Sequence, residues 1–303
     1  MSHPKAAAHA RGNRVHPAVS RGLVHLFLHP PRRIPWATPR SALGAAYRRI
    51  SLQTTDGIRL AGWHVPCPNA RAVAVLAHGY SSCRETMLPY LRILRRHGFA
   101  AVLCDFRSHG WSTGDMVTLG HKEHLDLEAA VRAARMLHPD LPVMLVGESM
   151  GAATALKVAS DDPDIVAVVA DCAFARLDDP IANRLRITFG EPLGARLVPG
   201  AAAEGARRLG VDPASVAPEE WIARIAPRPV LLVHGEADRL IPVEHAHRLH
   251  RAGGDSVELW TVPGAAHARS IRTSPSEYAR HLDAFVDRVL GPDPAGGTVG
   301  NAA

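Results

Sequence analysis

Three residues far apart in this chain, Ser149, Asp238 and His267, have the types and the order needed to turn a serine hydroxyl into a nucleophile. Ser149 stands in Gly147-Glu148-Ser149-Met150-Gly151, a G-x-S-x-G run. An apolar stretch, 143–146, leads into it, and a small-residue helical run (Ala152, Ala153, Ala155, Leu156) follows. Strand, sharp turn with serine at its tip, then helix is the setting of a nucleophile elbow; the flanking glycines admit a turn too tight for side chains. A serine hydroxyl attacks poorly until a base takes its proton, and that base needs an orienting acid. Both partners belong beyond the C-terminal ends of parallel strands, where loops converge on one crevice. Asp238 follows the strand-like run Val230-Leu231-Leu232-Val233-His234-Gly235, with Asp171 after the run 165–170 as its rival. His267 follows the run Val257–Val262 in Pro263-Gly264-Ala265-Ala266-His267.

The attacked carbonyl also needs donors for its developing negative charge. The amide of Met150, next after the serine, is one expected donor, and the Tyr80 amide is the other. Tyr80 closes His78-Gly79-Tyr80, which ends the apolar run Ala72–Ala77. His78, Gly79 and Glu148 are expected to contact substrate, with a structural hydrogen bond as the alternative for Glu148. Trp111 and Trp221 are expected to pack in the core. No phosphate-loop or dinucleotide fingerprint and no metal-ligand spacing is present, so neither a cofactor nor a metal is expected.

The elements that must hold these residues alternate. Residues 48–53 and 58–65 read as a hairpin across Thr55-Asp56-Gly57. Continuous apolar runs at Ala72–Ala77, Phe99–Cys104, 143–146, 165–170, 229–233 and Val257–Val262 read as strands buried on both faces. Helical spacing occupies 84–97, 121–137, 243–252 and 275–290. This alternation predicts an α/β fold with a mostly parallel central sheet and helices on both faces. The core is expected over 46–172 and 227–290. Residues 173–226 break the rhythm with repeated Pro and Gly stops, including Pro199 and Gly200, and are expected to form a small helical cap.

Of 303 residues, 47% are apolar and 21% charged, ordinary for a globular enzyme. The net charge of +6 is unevenly spread: residues 1–55 hold nine Lys/Arg and no acid, and the remainder holds 26 basic and 29 acidic residues. Residues 1–45 are therefore expected to be a flexible or peripheral basic leader, and 291–303 a disordered tail. The leader offers weak peripheral contact with anionic lipid, including an interfacial helix over 15–29; no nucleic-acid partner is expected. Its apolar stretch at 23–28 is too short for a secretory signal or a membrane span, which predicts a cytoplasmic protein. Cys67, Cys83, Cys104 and Cys172 are scattered and read as inert thiols.

Over residues 48–290 the chain resembles serine hydrolases of the α/β-hydrolase superfamily, nearest in pattern to the small esterase and acylglycerol-lipase-like branch. The motifs are His78-Gly79-Tyr80, Asp105-Phe106-Arg107-Ser108-His109-Gly110-Trp111-Ser112, the elbow, His234-Gly235-Glu236-Ala237-Asp238 and Gly264-Ala265-Ala266-His267. The order Ser149, Asp238, His267 is that superfamily's order. The resemblance implies that the segment beginning at Asp105 is a structural loop bordering the active site. The expected reaction is cleavage of a small-molecule carboxylic ester through an acyl-enzyme. A thioesterase or acyltransferase, an amidase or exopeptidase, and a non-catalytic binding protein of the same fold stand as alternatives. Acyl-chain length, alcohol portion and oligomeric state are left open.

Overall fold

The computed structural model describes residues 16–291. The tail expected from 291 lies, but for its first residue, outside the described residues, as do residues 1–15 of the leader.

One sheet of eight strands runs through the molecule in the order β1-β2-β4-β3-β5-β6-β7-β8. β1 (Arg48–Gln53) and β2 (Arg59–Val65) form the antiparallel hairpin, and β2 pairs antiparallel with β4 (Phe99–Cys104). From β4 onward the pairing is parallel through β3 (Ala72–Ala77), β5 (Val143–Glu148), β6 (Ile165–Asp171), β7 (Val230–Gly235) and β8 (Val257–Val262). This is the predicted α/β sheet.

The uninterrupted apolar strands follow from burial on both faces. In β3 alternate residues feed two cores: Val73, Val75 and Ala77 point into one, and Ala72, Ala74 and Leu76 into the other. The helices are α1 (Pro17–Leu28), α2 (Pro39–Leu43), α3 (Leu88–Leu94), α4 (Glu123–Leu137), α5 (Met150–Asp161), α6 (Asp178–Phe189), α7 (Glu191–Leu209), α8 (Pro218–Trp221), α9 (Glu244–Gly253), α10 (Ser270–Thr273) and α11 (Pro275–Leu290). α4, α5 and α9 cover the first core, α3 and α11 the second. Among the described residues no helix is long and apolar enough to cross a membrane.

Residues 178–226 are helical throughout most of their length, between β6 and β7. The stops read at Pro199 and Gly200 do not break the chain: α7 runs through both. A proline costs a helix the hydrogen bond of one amide, and tertiary packing here outweighs it. The glycines serve close approach. A Cβ on Gly194 would press into the backbone of α6 at Arg186, and one on Gly200 would collide with the Ser20 hydroxyl of α1.

That contact anchors part of the leader, expected to be flexible or peripheral: Val24 and Leu28 of α1 are buried with Leu185 of α6 and Leu197, Ala201 and Leu209 of α7. The Val117 amide donates to the Leu28 carbonyl at 2.8 Å and Arg208 donates to the Arg21 carbonyl at 3.2 Å. The stripe Val24, Phe27, Leu28 has helical spacing and finds an apolar partner face, which the leader's basic composition obscures. Trp111 also departs from expectation. It is 65% exposed rather than packed in the core, while Trp221 is partly buried beneath the Lys157 ammonium, 5.5 Å from its ring.

Candidate active site

β5 delivers the chain to Ser149, which adopts φ 54° and ψ −116°, a strained backbone for a residue with a side chain. The strain is held from outside: the Ser149 amide donates to the Asp171 carbonyl of β6 at 2.8 Å. A Cβ on Gly147 would run into the Gly151 carbonyl, and one on Gly151 into the Ala77 carbonyl, so both positions require glycine. Ser149 thus stands at the N-terminus of α5, lifted off the end of the sheet.

Ser149 Oγ lies 2.9 Å from His267 Nε2, and His267 Nδ1 lies 2.6 Å from Asp238 Oδ2. With Nδ1–H donating to the carboxylate, Nε2 presents a lone pair to the hydroxyl. Asp238 is buried, and its other oxygen accepts the amides of Leu240 and Ile241, each at 2.9 Å. His234 steadies the same loop by donating from Nε2 to the Ile241 carbonyl at 2.7 Å. The loops after β5, β7 and β8 therefore bring Ser149, Asp238 and His267 into one chain of contacts.

Asp171 is engaged elsewhere. Its Oδ2 lies 3.0 Å from the Tyr90 hydroxyl, which is also 3.1 Å from Glu148 Oε2. Burial pushes the Asp171 carboxyl up to about 6, and burial, with the neighbouring Asp171 charge, pushes Glu148 up to about 7. These two acids form a protonatable pair beneath the elbow.

The His78-Gly79-Tyr80 turn is braced from the Asp105 loop. The Phe106 amide donates to His78 Nε2 at 3.0 Å, so the His78 proton sits on Nδ1 and is donated to the Gly79 carbonyl at 2.7 Å. Burial holds this imidazole neutral, well below its usual range. His109 accepts the Ser81 amide at 3.0 Å and donates to the Arg107 carbonyl at 2.9 Å. Asp105 in turn pairs with Arg84 and accepts the Trp111 amide at 3.0 Å, and a Cβ on Gly110 would overlap its carboxyl. Among the described residues no protein acceptor takes the Tyr80 and Met150 amides, which leaves both able to donate to a bound oxygen.

A cavity of about 110 Å³ opens at Ser149. Ser149, Met150 and Tyr80 lie on its floor side, Phe174, Leu177, Ile181 and Leu209 come from the cap region, and Val24, Phe27 and Leu28 come from α1. The Tyr80 hydroxyl donates to the Phe27 carbonyl at 2.9 Å, and burial pushes that hydroxyl up to about 12, so it stays a donor. His78, Gly79 and Glu148, expected to contact substrate, are not among the residues that line this cavity. His78 is sealed behind the turn by its two hydrogen bonds, Glu148 faces Tyr90, and Gly79 abuts the Glu148 backbone and the Ser149 Cβ. The α1 residues and Arg184, also in the lining, are cavity positions that the sequence reading did not single out. The spacing of Val24, Phe27 and Leu28 was the available signal for the first; Arg184 carries none.

A family model described as serine aminopeptidase, S33, matches residues 68–220. The uncharacterized protein YqkD of Bacillus subtilis is 30% identical over 239 residues, 77% of this chain and 77% of that protein. A monoacylglycerol lipase of Mycolicibacterium smegmatis is 30% identical over 239 residues, 67% of this chain and 83% of the lipase. Among solved structures, the esterase Pf2001 of Pyrococcus furiosus superposes with a TM-score of 0.73 at 28% identity, covering 88% of this chain and 99% of that one.

Proposed function

The chain belongs to the serine aminopeptidase S33 family of α/β hydrolases, and from that premise we propose that it hydrolyses a carboxylic ester of an apolar acid through an acyl-enzyme. The observation that carries this reading is the unbroken contact from Ser149 through His267 to Asp238 at the mouth of an apolar cavity. The similarity to a monoacylglycerol lipase and to an esterase supports the choice of ester.

Ser149 Oγ attacks the carbonyl carbon as its proton passes to His267 Nε2, and Asp238 holds the imidazolium that forms. The carbonyl oxygen becomes an oxyanion held by the Tyr80 and Met150 amides; each such donor is worth about 3–4 kcal/mol in the transition state. The C–O bond breaks, the alcohol takes the proton from His267, and the acyl group stays on Ser149. Water then gives its proton to His267 and attacks the acyl carbon, releasing the acid and restoring the hydroxyl. An aminopeptidase reading is less favoured because, among the described residues, the lining holds no carboxylate to receive an α-ammonium group.

The test is hydrolysis of p-nitrophenyl esters from acetate upward by wild type and Ser149→Ala. Wild-type turnover that Ser149→Ala lacks is the expected result. Retained turnover in the variant, or inertness of the wild type to every ester, would overturn the reading.

A further inference from the structure

The cavity at Ser149 shares Phe27, Tyr80 and Arg184 with a second, more open pocket, here called the vestibule. The two compartments differ in chemistry. The inner one is walled by apolar groups. The vestibule adds the hydroxyl-bearing Ser81 and Thr188 beside Phe189. Arg184 is the one charged residue in either lining among the described residues. It is half-buried on α6, and no described side chain pairs with its guanidinium; only its backbone carbonyl is used, by Thr188.

A guanidinium at the border of an apolar cavity recognises an acceptor-rich anion, because planar N–H donors pair with carboxylate or phosphate oxygens. The position also selects the arm of the ester. After acylation the acyl group stays at Ser149 while the alcohol departs and water replaces it, so the alcohol belongs on the side open to solvent. We infer that Arg184 is a specificity residue that binds an anionic group on the alcohol arm, so that the preferred substrate is an apolar acyl ester of a carboxylated or phosphorylated alcohol. This rests on the ester-hydrolase reading of Ser149.

Two matched ester pairs test it on the full chain. One is 4-(butanoyloxy)benzoate against its neutral methyl ester; the other is 1-butanoylglycerol 3-phosphate against 1-butanoylglycerol. The readout is the ratio of kcat/KM, anionic over neutral, which cancels any general loss of folded enzyme. Arg184→Met should lower that ratio about tenfold or more, chiefly through KM for the anionic ester. Arg184→Lys should restore part of it, and Arg186→Met, an exposed position on the same helix, should leave it unchanged. Added NaCl should raise the wild-type KM for the anionic ester and spare the neutral one. A fall on either pair supports the inference and names the anion. A ratio that stays within about threefold on both pairs, or falls as far in Arg186→Met, overturns it while the hydrolase reading stands. Wild-type inertness toward all four esters overturns both.

Discussion

Ser149, Asp238 and His267 stand on loops at the ends of β5, β7 and β8, whereas Val24, Leu28, Leu197 and Leu209 meet across α1 and α7 with hardly a directional bond between them. On the floor, short hydrogen bonds fix each group: 2.9 Å from serine to imidazole, 2.6 Å from imidazole to carboxylate, and two amides on the second carboxylate oxygen. The roof is held by apolar contact, two glycines and a few bonds to backbone carbonyls. Hydrogen-bond geometry tolerates tenths of an ångström, while apolar packing tolerates exchange of one hydrophobic shape for another. The floor therefore suits a fixed reaction and the roof a variable substrate. Damage to the floor should remove rate; damage to the roof should redirect it.

The largest effect is expected from the floor. Asp238→Asn should lower kcat by about 10⁴, because the amide no longer enforces the imidazole tautomer, with little change in KM. Steady-state kinetics checks this, and a loss of only a few-fold would shift the orienting role toward Asp171.

Next comes the buried pair beneath the elbow. Glu148 and Asp171 titrate higher in the folded than in the unfolded chain, to about 7 and about 6. The folded state thus holds more protons between roughly pH 4 and 7, and its stability falls as pH rises through that window. Glu148→Gln keeps an acceptor for Tyr90 and removes the charge. It should gain up to about 3 kcal/mol on wild type at pH 8 and little at pH 4. Urea midpoints at the two pH values give the comparison.

The roof should respond differently. Gly200→Leu drives a side chain against Ser20, lifting α1 from α7 at a cost of about 1–3 kcal/mol. In an ester series this variant should shift the preferred acyl length while acetate turnover persists; an unchanged length profile would separate α1 from selectivity. Smallest of all, Trp111→Ala on the exposed side of the Asp105 loop should move stability by no more than about 0.5 kcal/mol, read as the thermal midpoint.

The same division governs how much was readable in the residues. The sheet is legible because strands buried on both faces leave continuous apolar runs, and the eight-stranded order agrees with them. The elbow is legible because its strain admits only glycine at Gly147 and Gly151, and such constraints leave marks in sequence. The roof leaves none of that kind. α1 follows a leader rich in basic residues and carries Arg21 and His25 beside its apolar positions, and α7 contains a proline and glycines that ordinarily end helices. His78 and Glu148 show the converse limit. Sequence places them beside the nucleophile, but whether a side chain points at the cavity or behind it depends on partners such as Phe106 and Tyr90, more than twenty residues distant.

The central claim is that Ser149 is the activated nucleophile, and labelling with a fluorophosphonate followed by peptide mass mapping tests it most directly. A single adduct on Ser149, formed by wild type and lost in His267→Ala, is the predicted result. No adduct, or an adduct on another residue that forms equally without His267, would contradict it.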